Sequence, residues 1–325
     1  MRGAGRPAQR VARFLGSASG AVMAAADDVQ VAEQPSTIVE PPPSAPPTPP
    51  SPAPVLPSVP SEAQATRPTF IYALGRMEPR LPSLAVEKEF AQAVGRSDTG
   101  GQTDREALHS ALSQRANRYL ARQLCWVFTV EGLETYIVLP RDSADLDLFV
   151  EAVRPRPAPS DLDLVIGVRG PIAEPDRCNG LLLPLVAVDH VYSFDRGDLL
   201  GAIPRADDVS EEDDDQFRAT AEELLDRILQ LADNAGATDE HRALNYLAVR
   251  YPAIYARTAE AHGGNASLSG VEVRPSRLSG TRLIVDVIFA YNNRQTDVTE
   301  KFFVRVDVTE EFPFLVSKLA PYYER

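Results

Sequence analysis

The sequence predicts an α+β protein in which antiparallel sheets pack against amphipathic helices, preceded by a disordered Pro-rich tail. Three observations predict this. Leu283, Val285, Val287, Phe289 and Tyr291 alternate along one segment and Phe302, Val304, Val306 and Val308 along the next, the period-two signature of paired strands. Phe217, Ala221, Leu224, Leu225, Ile228 and Leu231 recur at helical spacing and make one apolar stripe. Between Pro41 and Pro60, eleven of twenty residues are proline, an extended spacer with no core of its own.

In chain order, residues 1–66 form the tail. Arg2, Arg6, Arg10 and Arg13 precede Phe14 to Ala26 in an arrangement loosely like a secretory signal, but Gly16, Ser17, Ser19 and Gly20 dilute its apolar run. A tail is the preferred reading. Order is expected from Thr69, with Phe70, Ile71 and Tyr72 in a short strand ending at Gly75. Leu84 to Val94 has helical spacing, and Thr103 with Glu106 opens a longer helix that runs to about Gln123. Leu124 to Val130 and Glu134 to Leu139 read as strands joined by a Glu131-Gly132 hairpin. Ser143 to Val153 reads as a helix stopped by Pro155, Pro157 and Pro159. Asp163 to Val168 follows as a strand, and Leu181 to Phe194 as a buried strand pair broken near Asp189.

The acidic run Asp207, Asp208, Glu211, Glu212, Asp213, Asp214 and Asp215 reads as a solvated linker, dividing an α+β first half (67–206) from helices plus antiparallel sheet (207–325). After the amphipathic stripe, Asp239 to about Tyr251 forms a second helix, interrupted at Pro252 and continued by Ile254 to Ala261. A strand near Ser269 to Pro275 precedes the two alternating ones, and Asn292 to Asp297 supply the turn between those. Asp286, Arg305 and Asp307 interrupt the outward face, which predicts a partly wet side.

Composition then bounds function. A net charge of −13 over 325 residues argues against nucleic acid and anionic membrane surfaces as partners. No stretch approaches the ~18 apolar residues of a membrane span. Cys125 and Cys178 lie far apart and belong to no CxxC pair, so neither a disulfide framework nor a zinc ribbon is indicated, and a reducing cytoplasm is the expected location. A single bridge between them is the minor alternative. No cofactor is expected; the one zinc arrangement worth naming is Cys178 with His190 and His241. No glycine-framed serine, GxxxxGK[ST] or GxGxxG occurs, so the reading leans away from an enzyme.

The segment from Asn117 to Trp126 carries the candidate binding residues. Arg118 and Arg122 stand at i and i+4 on one helix face, ahead of Trp126, with Glu134 on the next strand. They read either as ion pairs binding helix to hairpin or as an anion or peptide-carboxylate site.

Several stretches together resemble a known family: Tyr72 to Gln92, Asn117 to Tyr136, Ile166 to Pro171 with Cys178-Asn179-Gly180, Leu244 to Tyr251, and Val273 to Tyr323. The chain is similar over these to the C-terminal domain of unknown function of the PatA and PatG maturation proteases of cyanobactin biosynthesis. In those proteins the domain follows a subtilisin-like protease, and no catalytic segment of that type is found in this sequence. The resemblance implies a non-catalytic accessory role near ribosomal peptide maturation, with a precursor peptide or a maturation enzyme as partner. A peptide-modifying enzyme and a homodimerisation domain are the alternatives.

Overall fold

The computed structural model describes residues 67–95, 101–203, 211–231 and 233–324. The tail, the signal-like segment and the first two acids of the acidic run, Asp207 and Asp208, lie outside these residues. Nine strands form two sheets among the described residues, a closed five-stranded barrel ordered β1-β2-β3-β5-β4 and a four-stranded sheet ordered β6-β7-β8-β9.

The barrel uses β1 (Thr69–Arg80), β2 (Cys125–Val130), β3 (Leu133–Pro140), β4 (Asp161–Ile172) and β5 (Pro184–Asp195). All its pairings are antiparallel except β3 with β5, which run parallel from Ile137–Leu185 to Pro140–Val188. This order, with one parallel pair and a helix between β3 and β4, is that of the OB-type barrel. Strand β1 outruns its expected end because Gly75 is a strand residue rather than a stop. A side chain there would collide with the Thr129 carbonyl oxygen, so glycine lets β1 bend close against β2. Strand β5 is one strand rather than the expected pair, and the break expected near Asp189 is a bulge there, where its ladder with β4 slips between Ile166–His190 and Gly167–Val188.

Helices α1 (Leu84–Gly95), α2 (Asp104–Ser113) and α3 (Arg118–Gln123) fill the connection from β1 to β2. The expected long helix is two, joined by a 3-10 turn at Arg115–Asn117. Its start is as read: Thr103 and Glu106 form a reciprocal capping box. Helix α4 (Leu146–Ala152) packs Phe149 under the barrel, against Trp126.

Helix α5 (Arg196–Gly201) follows β5, and α6 (Glu211–Leu229) opens in the acidic run, so the described part of that run is helical rather than linker. Acids at a helix start face the positive end of the backbone dipole, which favours this outcome. Helix α7 (Asp239–Arg250) buries every residue from Arg242 to Val249, more than the one-sided stripe its sequence suggests, because it contacts both β1 and β7. Helix α8 (Ala253–Gly263) runs on to β6 (Ala266–Pro275), β7 (Ile284–Asn293), β8 (Thr299–Asp307) and β9 (Phe314–Pro321).

One face of this second sheet joins the main hydrophobic cluster, where Val285, Val287, Phe289, Tyr291, Val304 and Val306 meet Leu224, Leu244 and Leu247 and, from the barrel, Tyr72, Leu74, Leu164 and Ile166. The opposite face is partly wet as expected, with Glu272 and Phe314 exposed and Lys301 and Arg305 half-buried, but its two aspartates are covered. Asp286 is 6% and Asp307 1% exposed, because Arg305 lies over Asp286 at 3.0 Å and Arg282 pairs with Asp307. The edge strand β9 is capped by the Tyr251 hydroxyl, which accepts the Leu319 N–H at 2.9 Å.

Candidate functional site

Strands β2 and β3 begin as a tight hairpin and then part. Their ladder runs from Val130–Leu133 to Val127–Ile137 and goes no further. Beyond it, Cys125 and Trp126 pair with Arg80 and Pro79 of β1, while Val138 to Pro140 pair with β5. A cavity of about 390 Å³ occupies this fork. It is lined by the end of α3 (Ala121, Arg122, Gln123), by Leu124 to Trp126, by Ile137 to Ser143, and by Leu146 and Arg177. In OB-type barrels the β2–β3 surface and the loops before β2 and between β4 and β5 hold the ligand, and these are the elements that converge here.

Three arginines stand at this cavity: Arg122, Arg141 and Arg177. Arg122 and Arg177 are exposed and neither makes an ion pair or side-chain hydrogen bond with a described residue. Arg141 is shared between Asp189 and, at 3.5 Å, Glu311. Glu311 carries a carboxyl group whose pKa is pushed up to about 7, first by burial and then by its hydrogen bond to Asp189, against the pull of Arg141 and Arg242. Among the lining residues Asp142 is the one acid. Its carboxylate is occupied as a cap, accepting the Ala144 N–H at 2.9 Å.

The loop that delivers Arg177 is fastened to the barrel. Cys125 at the start of β2 and Cys178 in the β4–β5 connection form a disulfide with a Cα separation of 5.7 Å. Cys125 and Cys178 sit in a small hydrophobic cluster with Val127, Ile137 and Ala173, flanked by Leu181, Leu183 and Leu185. This corrects the expectation of two unbridged cysteines. It also removes the support that expectation gave to a reducing compartment, since such bonds persist where conditions are oxidising. Among the described residues no helix is long and apolar enough to cross a membrane.

The sequence-predicted residues separate accordingly. Arg122 and Trp126 both line the cavity, but Trp126 is only 3% exposed, with its indole N–H donated to the Ala121 carbonyl at 2.9 Å and its ring edge-on to Phe149. It is a core residue, not a contact surface. Arg118 pairs with Asp147 of α4, and Glu134 pairs with Arg80 of β1 at 2.9 Å, so both are engaged in ion pairs, but neither pair binds the helix to the hairpin. The zinc trio is not assembled: the Cys178 thiol is consumed by the disulfide, His190 stacks with Tyr192 and meets Phe312 edge-on at 5.3 Å, and His241 lies at the start of α7. Burial lowers the His241 pKa, and no group of three His, Cys, Asp or Glu able to hold a metal occurs among the described residues. Arg141 and Arg177 were missed because they reach the cavity from loops remote in sequence.

Residues 211–322 match the family model described as PatG C-terminal. Among solved structures, one described as "PatG Domain of Unknown Function" superposes with a TM-score of 0.64 at 21% identity, covering 78% of this chain and 98% of that one. At that identity the likeness shows the fold. No curated protein matches the sequence.

Proposed function

We propose that this chain, whose residues 211–322 match the PatG C-terminal family, is a non-catalytic recognition module that binds the carboxylate-bearing end of a peptide in the β2–β3 fork. The resemblance to domains of cyanobactin maturation proteins makes a ribosomal precursor peptide the favoured partner. The observation that carries the reading is the pair Arg122 and Arg177, cations at one cavity with no ion partner among the described residues, in a protein with net charge −13. Arginine suits carboxylate recognition because its planar donors engage both oxygens. The parted ladder supports an extended ligand, because the fork leaves room between two strand edges.

Fluorescence anisotropy with a labelled precursor peptide, as free acid and as C-terminal amide, tests this. The acid is expected to bind more tightly, and Arg122→Ala and Arg177→Ala are each expected to weaken it by about 1 kcal/mol, roughly fivefold. Equal binding of acid and amide, or no loss in either variant, would remove the fork as the recognition site. A Trp126→Ala effect accompanied by loss of far-UV circular dichroism would report unfolding rather than contact.

A further inference from the structure

The fork holds a second reactive feature that carboxylate recognition leaves unused. Cys125 lines the cavity while its partner Cys178 does not, and Arg177, which does, is the residue before Cys178. The cavity therefore borders one half of the disulfide, Cys125, and carries two arginines that pair with no described residue. Both cysteines are largely shielded, at 6% and 4% exposure, and of the two it is Cys125 that borders the cavity.

We infer that the fork is a thiol-exchange site selective for small anionic thiols, with Cys125 as the sulfur attacked. This rests on the same arginine pocket as the carboxylate reading but not on any peptide. The step balances: an incoming thiolate attacks the Cys125 sulfur, the bond between Cys125 and Cys178 breaks, and Cys178 leaves as a thiolate. A mixed disulfide between Cys125 and the small thiol remains. A second equivalent of thiol then attacks the small-thiol sulfur, releasing reduced Cys125 and a symmetrical small disulfide. Arginine assists at both ends of the first step. Arg122 and Arg177 draw the anion into the cavity, and the positive charge beside Cys178 stabilises the departing thiolate, which makes it a better leaving group. Once released, the connection from Ala173 to Leu183 loses its tie to β2, and Arg177 goes with it. Exchange and carboxylate binding are thereby linked: reduction would dismantle the pocket.

The test compares reduction of the full chain by glutathione, 2-mercaptoethanol and cysteamine, which are anionic, neutral and cationic. Each rate is divided by that thiol's rate with the neutral 2-hydroxyethyl disulfide, so that intrinsic nucleophilicity cancels. The normalised glutathione-to-cysteamine ratio is expected to be about tenfold at low salt and to fall toward one at high salt. It is expected to fall in the Arg122→Gln, Arg177→Gln double variant and to persist in Arg294→Gln, a charge change at the β7–β8 turn. Peptide mapping after acid quench should place glutathione on Cys125. A ratio unchanged in the double variant, glutathione on Cys178, or two free thiols in air-purified protein would each overturn the inference. Carboxylate selectivity with no thiol selectivity would sink this inference alone; thiol selectivity with no peptide binding would sink the peptide reading alone.

Discussion

Asn245 shows how much of this fold hangs on single polar residues. It is fully buried in α7, and its amide nitrogen donates to the Tyr72 carbonyl of β1 at 2.9 Å while its oxygen accepts from Asn234 at 2.8 Å. The adjoining loop completes the joint. Gly236 takes a φ of +69°, its carbonyl accepts the Tyr72 N–H at 2.9 Å, and a Cβ there would stand 2.5 Å from the Ala73 Cα. Truncating Asn245 strands two buried partners, and an unsatisfied buried group costs about 1–3 kcal/mol. Asn245→Ala is therefore expected to lower unfolding free energy by about 2–3 kcal/mol in urea titrations, with Gly236→Ala at least as damaging. A loss under 0.5 kcal/mol for Asn245→Ala would mean that water replaces the amide and that the joint is not specific. Neither residue stood out from the sequence, where Asn245 is one polar position between apolar neighbours in a helical pattern. Its role is set by β1, far off in the chain.

The elements most legible in the sequence are those whose burial repeats locally. Strands β7 and β8 alternate because one face meets the helices, and the capping box of α2 needs only residues within one turn. Strand β9 escaped notice because its residues are only partly buried or exposed throughout, so the pattern lacks a strong apolar set. Barrel closure and the parallel β3–β5 pair depend on contacts that no local period records. The site divided in the same way: Arg122 was visible beside Trp126, whereas Arg177 arrives through a bridge spanning 53 residues. The segment between β8 and β9 offers a test at this scale. Arg242 of α7 donates to the Val308 carbonyl at 2.7 Å and to Glu310, while Glu311 meets Asp189 and Arg141 of the barrel. His190 stands edge-on to Phe312 of the same segment, and Asp239 pairs with Arg242. Because Glu311 titrates near 7 when folded and near 4.5 when free, the folded state holds the extra proton between those values. Its contribution is fully present below about 4.5 and is lost as pH rises through about 7. The melting midpoint should accordingly fall across that window, and Glu311→Gln should flatten the fall. An unchanged slope in the variant would assign the pH dependence to other groups.

At the scale of the whole molecule, helix α7 is the joint between the two sheets. It lies against β1 on one side and β7 on the other, and the main cluster runs unbroken from Tyr72, Leu74, Leu164 and Ile166 through Leu244 and Leu247 to Val287 and Phe289. A cut in the acidic run would leave those four barrel residues facing water. Burying each such side chain stabilises by about 1.5–3 kcal/mol, so exposing four removes an amount comparable to the total stability of an ordinary domain. Residues 67–206 expressed alone are therefore expected to bind a hydrophobic dye and to lack near-UV circular dichroism. The full chain, in contrast, should unfold in one step when followed by far- and near-UV signals in urea. Two separated transitions, or a 67–206 fragment that melts cooperatively, would show instead that the barrel stands alone. In that case the second sheet would be an addition to a recognition barrel. If the single step holds, any ligand seated in the fork stabilises the PatG C-terminal-like half with it, because anything that binds only the folded state draws the whole cooperative unit.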